Sequence, residues 1–214
     1  MKIAILTSPN QWFVSYAQQL QEHINHASLF FEHESISENF DIVFILSYHR
    51  IIDTQYLAKH KHNIVIHASD LPQGKGWAPM FWQILEGKNE IPFTMFEASE
   101  GIDDGQIYMK KVLNLSGFEL NAELRQKQAL FIQEMCLDFL NKYDVYKIPH
   151  AQKGESTFYP KRSQKDSELD IHKTLYEQFN LLRIVDNDEY PAFFIVDGQK
   201  YILKIEKHHE TSTL

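Results

Sequence analysis

The alternation of short apolar runs with helical patterns over the first 70 residues is the feature that most constrains the fold. Such runs have the length and composition of strands that are buried on both faces of a sheet. Between them, the apolar residues of Phe13–Ile24 recur at the spacing of one helix face, and Thr54–His60 can form a short helix. This order predicts an α/β domain with a parallel, doubly wound sheet. The predicted strands are Lys2–Leu6, Ala27–Phe31, Ile42–Leu46 and Asn63–His67.

The rest of the chain continues this pattern and then changes character. Leu120–Lys142 predicts a long amphipathic helix, whereas Pro149 to Asp170 is polar and charged and indicates a linker. We therefore expect a main domain over residues 1–148 and a C-terminal extension over 149–214 that contains a linker, a helix and a β-hairpin. The other predicted elements are helix Ala78–Glu86, strands Pro92–Glu97 and Gln106–Leu113, a helix near Ile171–Leu182, and the hairpin Ala192–Val196 and Tyr201–Ile205 turned by Asp197-Gly198.

The charge of the chain restricts its partners. With 21 Lys and Arg against 29 Asp and Glu, the formal net charge is −8. A generic nucleic-acid binder needs an excess of positive charge to displace the counterions of the phosphates. We therefore expect no nucleic-acid partner. We also expect no membrane partner, because no run approaches the roughly 18 apolar residues of a membrane span and the N-terminus lacks a signal-peptide pattern.

The cysteine and histidine content indicates the cellular compartment and whether a metal site is expected. A single cysteine, Cys136, excludes an intramolecular disulfide and favours a reducing, cytoplasmic location. It lies in an apolar helical run, where a buried structural role is expected. We expect no metal site, because the spacing of the clustered histidines does not resemble a complete ligand set. These histidines are His60, His62, His208 and His209.

The segment that most strongly indicates a functional site begins with a histidine at the end of a predicted strand. From His67 the chain enters a loop that contains a proline, two glycines, Lys75 and Trp77. Ligands of parallel α/β sheets bind beyond the carboxyl ends of the strands. An imidazole there can donate to an oxygen that gains charge and can exchange protons near neutral pH, although a structural role is also common for such a histidine. No Gly-x-Gly-x-x-Gly follows the first strand, which disfavours a dinucleotide cofactor.

A second segment, Glu100–Ile107, is an acidic loop between two predicted strands, and alone it would be interpreted as a solvated turn. Together the two segments resemble the 10-formyltetrahydrofolate-dependent formyltransferases. In that family His-x-Ser-x-Leu-Pro-x-Gly is followed about 36 positions later by Gly-(Ile/Leu)-Asp-x-Gly, and His67–Gly74 and Gly101–Gly105 match these motifs. The resemblance extends from about Ile42 to Phe194. It implies a Rossmann-like formyltransferase fold and 10-formyltetrahydrofolate as the formyl donor.

The resemblance also implies roles for single residues. His67 corresponds to the residue that polarises the formyl carbonyl while an amine attacks. Asp103 corresponds to the residue that orients the histidine and helps to move the amine proton, or that only fixes the tautomer, and the motif register selects it over Asp104. The pterin is expected against Tyr48, Ile51, Ile52, Ala98, Glu100, Gly101 and Ile102. The acceptor is expected against Ser69, Gln73, Lys75, Trp77, Tyr159, Lys161 and Arg162.

One position departs from the family pattern. Most members carry an Asn two residues before the His, and its side chain helps to hold the formyl oxygen, but Val65 occupies that position here. Asn63 has the same strand parity as His67 but lies about 13 Å away along an extended strand. Either a backbone amide or another side chain supplies the donor, or catalysis depends more heavily on His67. Loss of one such donor typically lowers the rate by about 10²–10³.

The residues of the first motif indicate which class of acceptor is expected. His-Ala-Ser-Asp-Leu-Pro-x-Gly-Lys-Gly-Trp is similar to enzymes that formylate a UDP-linked 4-amino-4,6-dideoxy sugar in pathways to pseudaminic-acid-type nonulosonates of flagellin and surface glycans. Methionyl-tRNA formyltransferases carry a further RNA-binding domain and a basic surface, so a nucleotide-linked amino sugar is the expected partner. Three alternatives stay open: a glycinamide ribonucleotide formyltransferase-like enzyme, a hydrolase that releases formate from formylfolate, and a non-catalytic folate- or nucleotide-binding module.

Overall fold

The computed structural model, which describes residues 1–208, is built around one six-stranded sheet. Its strands are β1 (Ile3–Leu6), β2 (Ser28–Phe30), β3 (Ile42–Ile45), β4 (His62–His67), β6 (Glu90–Glu97) and β7 (Ile107–Asn114), while the short β5 (Lys75–Gly76) lies outside it. The order across the sheet is β2-β1-β3-β4-β6-β7. Strands β1 to β4 are parallel, and β6 runs antiparallel to both β4 and β7. The predicted α/β fold with a mostly parallel sheet is confirmed.

Within residues 1–208, six α-helices surround or extend the sheet, and several of them begin at local sequence signals. They are α1 (Val14–His23), α2 (Thr54–Leu57), α3 (Pro79–Leu85), α4 (Asn121–Asn141), α5 (Tyr143–Tyr146) and α6 (Phe179–Ile184). Helix α2 begins where the Asp53 carboxylate accepts the amide of Tyr56 at 2.7 Å. Helix α3 has a proline at its first position, where the missing N–H costs nothing. At the start of α4, the Glu123 carboxylate accepts the Leu120 amide at 2.8 Å.

The sheet separates two apolar cores, because successive side chains of a strand point to opposite faces. We call the first the α4 face: here Ile5, Phe44 and Ile64 pack against α1, α3 and α4. We call the second the α2 face: here Val43 and Ile45 pack against α2 and its flanking loops. Each large apolar side chain that is fully buried stabilises the fold by about 1.5–3 kcal/mol. Both cores reach the carboxyl ends of the parallel strands.

The C-terminal extension differs in part from its prediction. Its helix begins at Phe179 and not near Ile171, because the Gln178 side chain holds the preceding residues in turns by bonding both the amide and the carbonyl of Asp170. The hairpin is confirmed, with both turn residues, Asp197 and Gly198, at positive φ. Its strands are β9 (Ala192–Val196) and β10 (Gln199–Leu203). Within the predicted linker, β8 (Phe158–Tyr159) pairs in parallel with β5.

A buried ion pair attaches the extension to the main domain. The Arg183 guanidinium of α6 lies 3.1 Å from the Glu119 carboxylate, and both side chains are almost fully buried. Arg183 also donates to the Asn89 side chain at 3.1 Å and to the Glu119 carbonyl at 3.2 Å. These bonds join the loop before α4, the loop before β6 and the extension. The extension therefore forms one wall of the structure beside the carboxyl end of the sheet.

Several residues considered from the sequence serve the core. Cys136 is buried, and burial raises the pKa of its thiol. His62 lies between the hydroxyls of Tyr108 and Tyr143, each 2.8 Å from a ring nitrogen, and His60 accepts a backbone amide. Within residues 1–208, no group of three or more His, Cys, Asp or Glu side chains is placed to hold a metal ion. His209 lies outside that range. The helices in the same range are too short or too polar to cross a membrane.

Candidate active site

His67 and Asp103, which the sequence placed about 36 positions apart, meet at the carboxyl edge of the sheet. His67 is the last residue of β4, and Asp103 lies in the loop between β6 and β7. The imidazole Nε2 is 3.6 Å from Oδ2 of Asp103. Their side chains are only 11% and 16% exposed, so both groups interact in a largely dehydrated setting. Such a setting strengthens the electrostatic interaction between them.

The imidazole is oriented by the loop that follows it. Its Nε2 also lies 2.9 Å from the carbonyl oxygen of Gly74. Since both neighbours of Nε2 are acceptor oxygens, we assign the proton of the neutral ring to Nε2. This leaves Nδ1 as the ring atom that can accept a proton from a ligand and donate it back once the ring is protonated. The ring is therefore prepared for proton exchange at the cleft.

The Asp103 carboxylate is held from two sides. Its Oδ2 accepts the amide of Gly76 at 2.8 Å, and its backbone adopts φ 49°, which is uncommon for a residue with a side chain. The Gln152 side chain donates to the carbonyls of both Asp103 and Gly105 at 2.8 Å. Gln152 comes from the predicted linker, and nothing in its local sequence indicates this contact.

Glycines are required where these loops approach other backbone. A side chain on Gly76, which has φ 97°, would place its Cβ 2.5 Å from the carbonyl oxygen of Tyr159. At Gly105 the Cβ would come within 1.6 Å of the carbonyl oxygen of Glu97. The two glycines allow the segment after His67 and the loop with Asp103 to pack closely. Close contact with neighbouring backbone therefore explains why glycine occupies both of these positions.

Lys75 does not face a ligand, contrary to the sequence-based expectation. Its side chain is only 4% exposed, and its ammonium forms an ion pair with Asp104. Asp104, the residue adjacent to the candidate carboxylate, therefore joins the two signature segments. Lys75 is buried, whereas Gly76 and Trp77 line the cleft. Strand alternation alone would place Lys75 and Trp77 on the same face, but Gly76 between them has φ 97° and interrupts the extended backbone.

A cleft of about 1320 Å³ runs along the carboxyl edge of the sheet and contains His67 and Asp103. All seven residues expected at the pterin line it: Tyr48, Ile51, Ile52, Ala98, Glu100, Gly101 and Ile102. Four cleft residues, Tyr48, Ile52, Val65 and Ala98, pack on the α2 face, and we call this part the apolar lobe. At its rim, the side chains of Ile51 and Ile102 are 95% and 69% exposed. A second cavity, of about 340 Å³, lies in the extension beside Leu169 and contains neither candidate residue.

The other part of the cleft is lined by basic side chains, with the carboxylates of Asp186 and Glu189 also on its lining. Arg125 of α4 lines it together with Lys161 and Arg162 from the extension, and we call these three residues the cationic lobe. The Lys161 ammonium lies 5.0 Å from the Trp77 ring. Burial, followed by the nearby Lys161 and Arg125, lowers the pKa of His49 on the same wall. Arg125 was not identified from the sequence, where it is one of several charged positions on a long helix.

Three of the seven residues expected at the acceptor line the cleft: Trp77, Lys161 and Arg162. The other four do not. Ser69 is buried beneath the loop, Gln73 is exposed elsewhere, and Lys75 is paired as described. The Tyr159 ring stacks on Trp82, and its hydroxyl donates to Glu86 at 2.8 Å.

Asn63 does not replace the side chain that the motif position 65 lacks. Val65 lines the cleft, but the Asn63 side chain is buried and donates to the Leu57 carbonyl at 2.9 Å and to Glu97 at 3.3 Å. Asn63 therefore does not reach a ligand near His67. The Asn63 amide also donates to Glu97 at 2.8 Å, so this residue serves to connect β4 with β6.

Comparison with known families gives one matching model, described as Formyl transferase, over residues 2–135. The curated relatives include the methionyl-tRNA formyltransferase of Thermosipho melanesiensis, which is 32% identical over 146 residues. This match covers 68% of the chain and 47% of the relative. The chain thus spans about half the length of the curated relatives it matches.

Solved structures share the fold along almost the whole chain. A methionyl-tRNA formyltransferase from Clostridium thermocellum matches with a TM-score of 0.81 and 19% identity, covering 99% of this chain and 95% of that one. A 4-N formyltransferase from Francisella tularensis matches with a TM-score of 0.69 and 18% identity, covering 97% and 98%. HypX from Aquifex aeolicus, solved with tetrahydrofolic acid, matches with a TM-score of 0.76 and 20% identity, covering 96% of this chain and 37% of HypX.

Proposed function

This chain belongs to the formyl transferase family, and we propose that it transfers a formyl group to the 4-amino group of a UDP-linked 4-amino-4,6-dideoxy sugar. The family uses 10-formyltetrahydrofolate as formyl donor. The observation that carries the proposal is the pairing of His67 with Asp103 at 3.6 Å, inside a cleft that has an apolar lobe and a cationic lobe. Each lobe suits one of the two substrates.

The apolar lobe has the properties that a pterin requires. Its walls come from the loop after β3 and from the loop that carries Asp103, so a flat heterocycle between them would lie beside the imidazole. Two isoleucines at its rim, Ile51 and Ile102, are largely exposed. Exposed large apolar side chains at a cleft mouth are typical of ligand sites, because a ligand would remove them from water.

The site can support formyl transfer with a simple proton balance. The acceptor amine forms a C–N bond to the formyl carbon, and the bond from that carbon to N10 of the folate breaks. The amine loses one proton and N10 gains one. His67 is positioned to stabilise the developing oxyanion or to exchange the proton at Nδ1, while Asp103 stabilises the protonated ring and holds its orientation.

The cationic lobe supports a phosphate-bearing acceptor. Lys161 and Arg162 lie in it beside the Trp77 ring, which offers a flat surface for a base or a sugar. Because the chain has a net charge of −8 and Asp186 and Glu189 also line the cleft, the local group of Arg125, Lys161 and Arg162 suits a small anion more than a long polyanion. Its fold is also that of the solved 4-N formyltransferase.

Methionyl-tRNA is the second candidate acceptor. The observation in its favour is that the curated relatives that match this chain at 32–34% identity are methionyl-tRNA formyltransferases. The aminoacyl end of a tRNA also presents an amine next to phosphates. The two acceptors therefore need to be compared directly.

The test is a panel of UDP- and dTDP-linked amino sugars and methionyl-tRNA, each incubated with 10-formyltetrahydrofolate and read by mass for the gain of one formyl group. We expect UDP-linked 4-amino-4,6-dideoxy sugars to be formylated fastest. Preference for methionyl-tRNA would overturn the proposed acceptor. Release of formate without any amine would indicate the hydrolase, and ligand binding without turnover would indicate a binding module.

A further inference from the structure

We infer that Arg125 is the anchor of a phosphate subsite in the cationic lobe, which takes the diphosphate of the acceptor; this inference rests on the proposed function. Arg125 is a residue of the long helix α4, remote in sequence from both signature segments. Its side chain lines the cleft together with Lys161 and Arg162 of the extension.

The guanidinium of Arg125 is held between two aromatic rings. Its Cζ lies 4.5 Å from the centre of the Trp12 ring and 4.4 Å from that of the Phe81 ring. Contacts of this kind fix the plane of the group while its N–H donors remain available at the edge. Its one side-chain hydrogen bond is to Gln128, at 3.4 Å. Most of the five N–H donors therefore have no partner within the described residues.

The charge of Arg125 is not compensated by an ion pair. Within residues 1–208, no carboxylate lies within 4 Å of Arg125, Lys161 or Arg162. Burial lowers the pKa of Arg125 to about 10, although Asp186 and Glu189 act in the opposite direction. The group is still charged at neutral pH. A partly buried charge without a counterion is costly, and such a charge beside a cleft is a candidate for pairing with a ligand.

The neighbours of Arg125 make the site suitable for an anion with more than one charge. Arg125 and Arg162 both line the cleft, and Arg162 contributes to lowering the pKa of Arg125, as expected of two like charges that interact. Burial also lowers the pKa of Arg162, and its Nε is buried without a partner. Its Nη2 donates to two uncharged acceptors, the Asp166 carbonyl at 3.1 Å and the Ser167 hydroxyl at 3.4 Å. Like charges in this arrangement would be stabilised by an anion that bridges them.

Two sources of such an anion enter this cleft, the diphosphate of the acceptor and the glutamate carboxylates of the folate. The apolar lobe lies on the α2 face, whereas Trp12, Phe81 and Arg125 belong to the α4 face. A pterin in the apolar lobe therefore leaves the cationic lobe on the other side of His67. We assign that side to the acceptor, and so to a diphosphate.

The experiment measures binding of inorganic pyrophosphate, UDP, uridine and tetrahydrofolate by calorimetry to the wild-type chain, to Arg125→Met and to Arg162→Met. Methionine retains an apolar stem between Trp12 and Phe81 but removes the charge. We expect each variant to weaken pyrophosphate and UDP about 10- to 100-fold and to leave uridine and tetrahydrofolate within about twofold. Lys147→Met, which removes an exposed cation outside the cleft, is the matched control and should bind all four ligands as the wild type does.

The outcomes separate the subsite from the proposed function. Unchanged pyrophosphate and UDP binding in Arg125→Met would overturn the inference, and so would a selective loss of tetrahydrofolate binding, which would assign the lobe to the folate. Charge-dependent UDP binding without formylation of any nucleotide sugar would retain the subsite and overturn the proposed acceptor. If Arg125→Met does not fold, Arg125→Lys tests the same site, because lysine keeps the charge but lacks the planar fork of donors. Arg125→Lys should weaken UDP binding, but less than Arg162→Met does. Unchanged UDP binding in Arg125→Lys would overturn the inference.

Discussion

The amide of Gly76 donates to Oδ2 of Asp103 over 2.8 Å, and this is the same oxygen that faces the His67 ring. The carboxylate is therefore positioned by backbone from the first signature segment as well as by the imidazole. The two motifs are joined at the point where the chemistry is expected. It follows that either side chain can be changed while the other keeps its place.

Replacing His67 by Ala should abolish most activity without unfolding the protein. The imidazole lines the cleft beside Asp103, and proton-exchanging groups in such a position typically contribute about 10²–10⁴-fold to the rate. The measurement is kcat for formyl transfer, with a thermal melt to show that the variant is folded. A variant with wild-type turnover would remove His67 from the reaction.

Substitution should show that the adjacent carboxylates Asp103 and Asp104 have different roles, one in activity and the other in stability. Asp103→Asn can still accept the Gly76 amide but no longer stabilises a protonated His67, so kcat should fall by at least about tenfold with little change in stability. Asp104→Asn leaves the buried ammonium of Lys75 without its charged partner, so unfolding should become easier by about 1–3 kcal/mol while kcat stays near wild type. Urea denaturation and initial rates on both variants test this. The reverse pattern would assign the reaction to Asp104.

Gln152 should act as a positioning residue for the loop that carries Asp103. Its side-chain amide donates to the carbonyls of Asp103 and Gly105, both at 2.8 Å. We expect Gln152→Ala to lower kcat more than it raises the KM for either substrate, because the carboxylate loses its alignment and not its contact with the ligand. Gln152→Asn, which is too short to bridge both carbonyls, is the matched comparison. A change in global stability alone, with kcat intact, would argue for a purely structural role.

The Glu119–Arg183 pair should make stability depend on pH. Burial acts to raise the pKa of Glu119, but hydrogen bonds from Lys127 and from backbone amides outweigh it and hold this pKa well below its ordinary value. The folded state therefore binds fewer protons than the unfolded state below about pH 4.5. The stabilisation is complete well above that pH, and it is lost progressively as the pH falls from there towards the lowered pKa of the folded state.

Glu119→Gln should accordingly destabilise the protein by about 3–5 kcal/mol at neutral pH, because it leaves the Arg183 charge buried and unpaired. The difference from wild type should shrink at acid pH. Urea denaturation at pH 7 and at pH 4 or below measures both effects. Glu123→Gln, which removes a more exposed carboxylate from the same helix start, is the control and should cost no more than about 1 kcal/mol. An equal loss in both variants would show that the buried pair is not the anchor of the extension.

Much of the fold and the centre of the site could be predicted from the sequence. Strands β1, β3 and β4 are short apolar runs whose lengths depend on local composition, and the Asp197-Gly198 turn is a local signal. The proximity of His67 and Asp103 followed from two motifs with a recognisable spacing. The pterin-side residues followed as well, since they lie in loops at the ends of neighbouring strands.

The direction of each side chain could not be predicted in the same way. Lys75 and Trp77 lie in one glycine-containing loop, yet one is buried against Asp104 and the other faces the cleft. A glycine loop has no fixed periodicity, so the contacts of its side chains depend on what packs against it. The structure shows that β8 of the extension packs there, with Tyr159 beside Gly76.

The sequence by itself determined the α/β fold, the family and the pair of groups at the chemical centre, because these follow from local periodicity and from motifs a few residues long. Only the tertiary structure decided which charges enter the cleft. Lys161 and Arg162 were expected at the acceptor, but Arg125 comes from a distant helix and only long-range packing brings it to the same cleft. A charged residue on a helix surface carries no local sign of the cavity it will face, so the place of Arg125 in the cationic lobe became visible only in three dimensions.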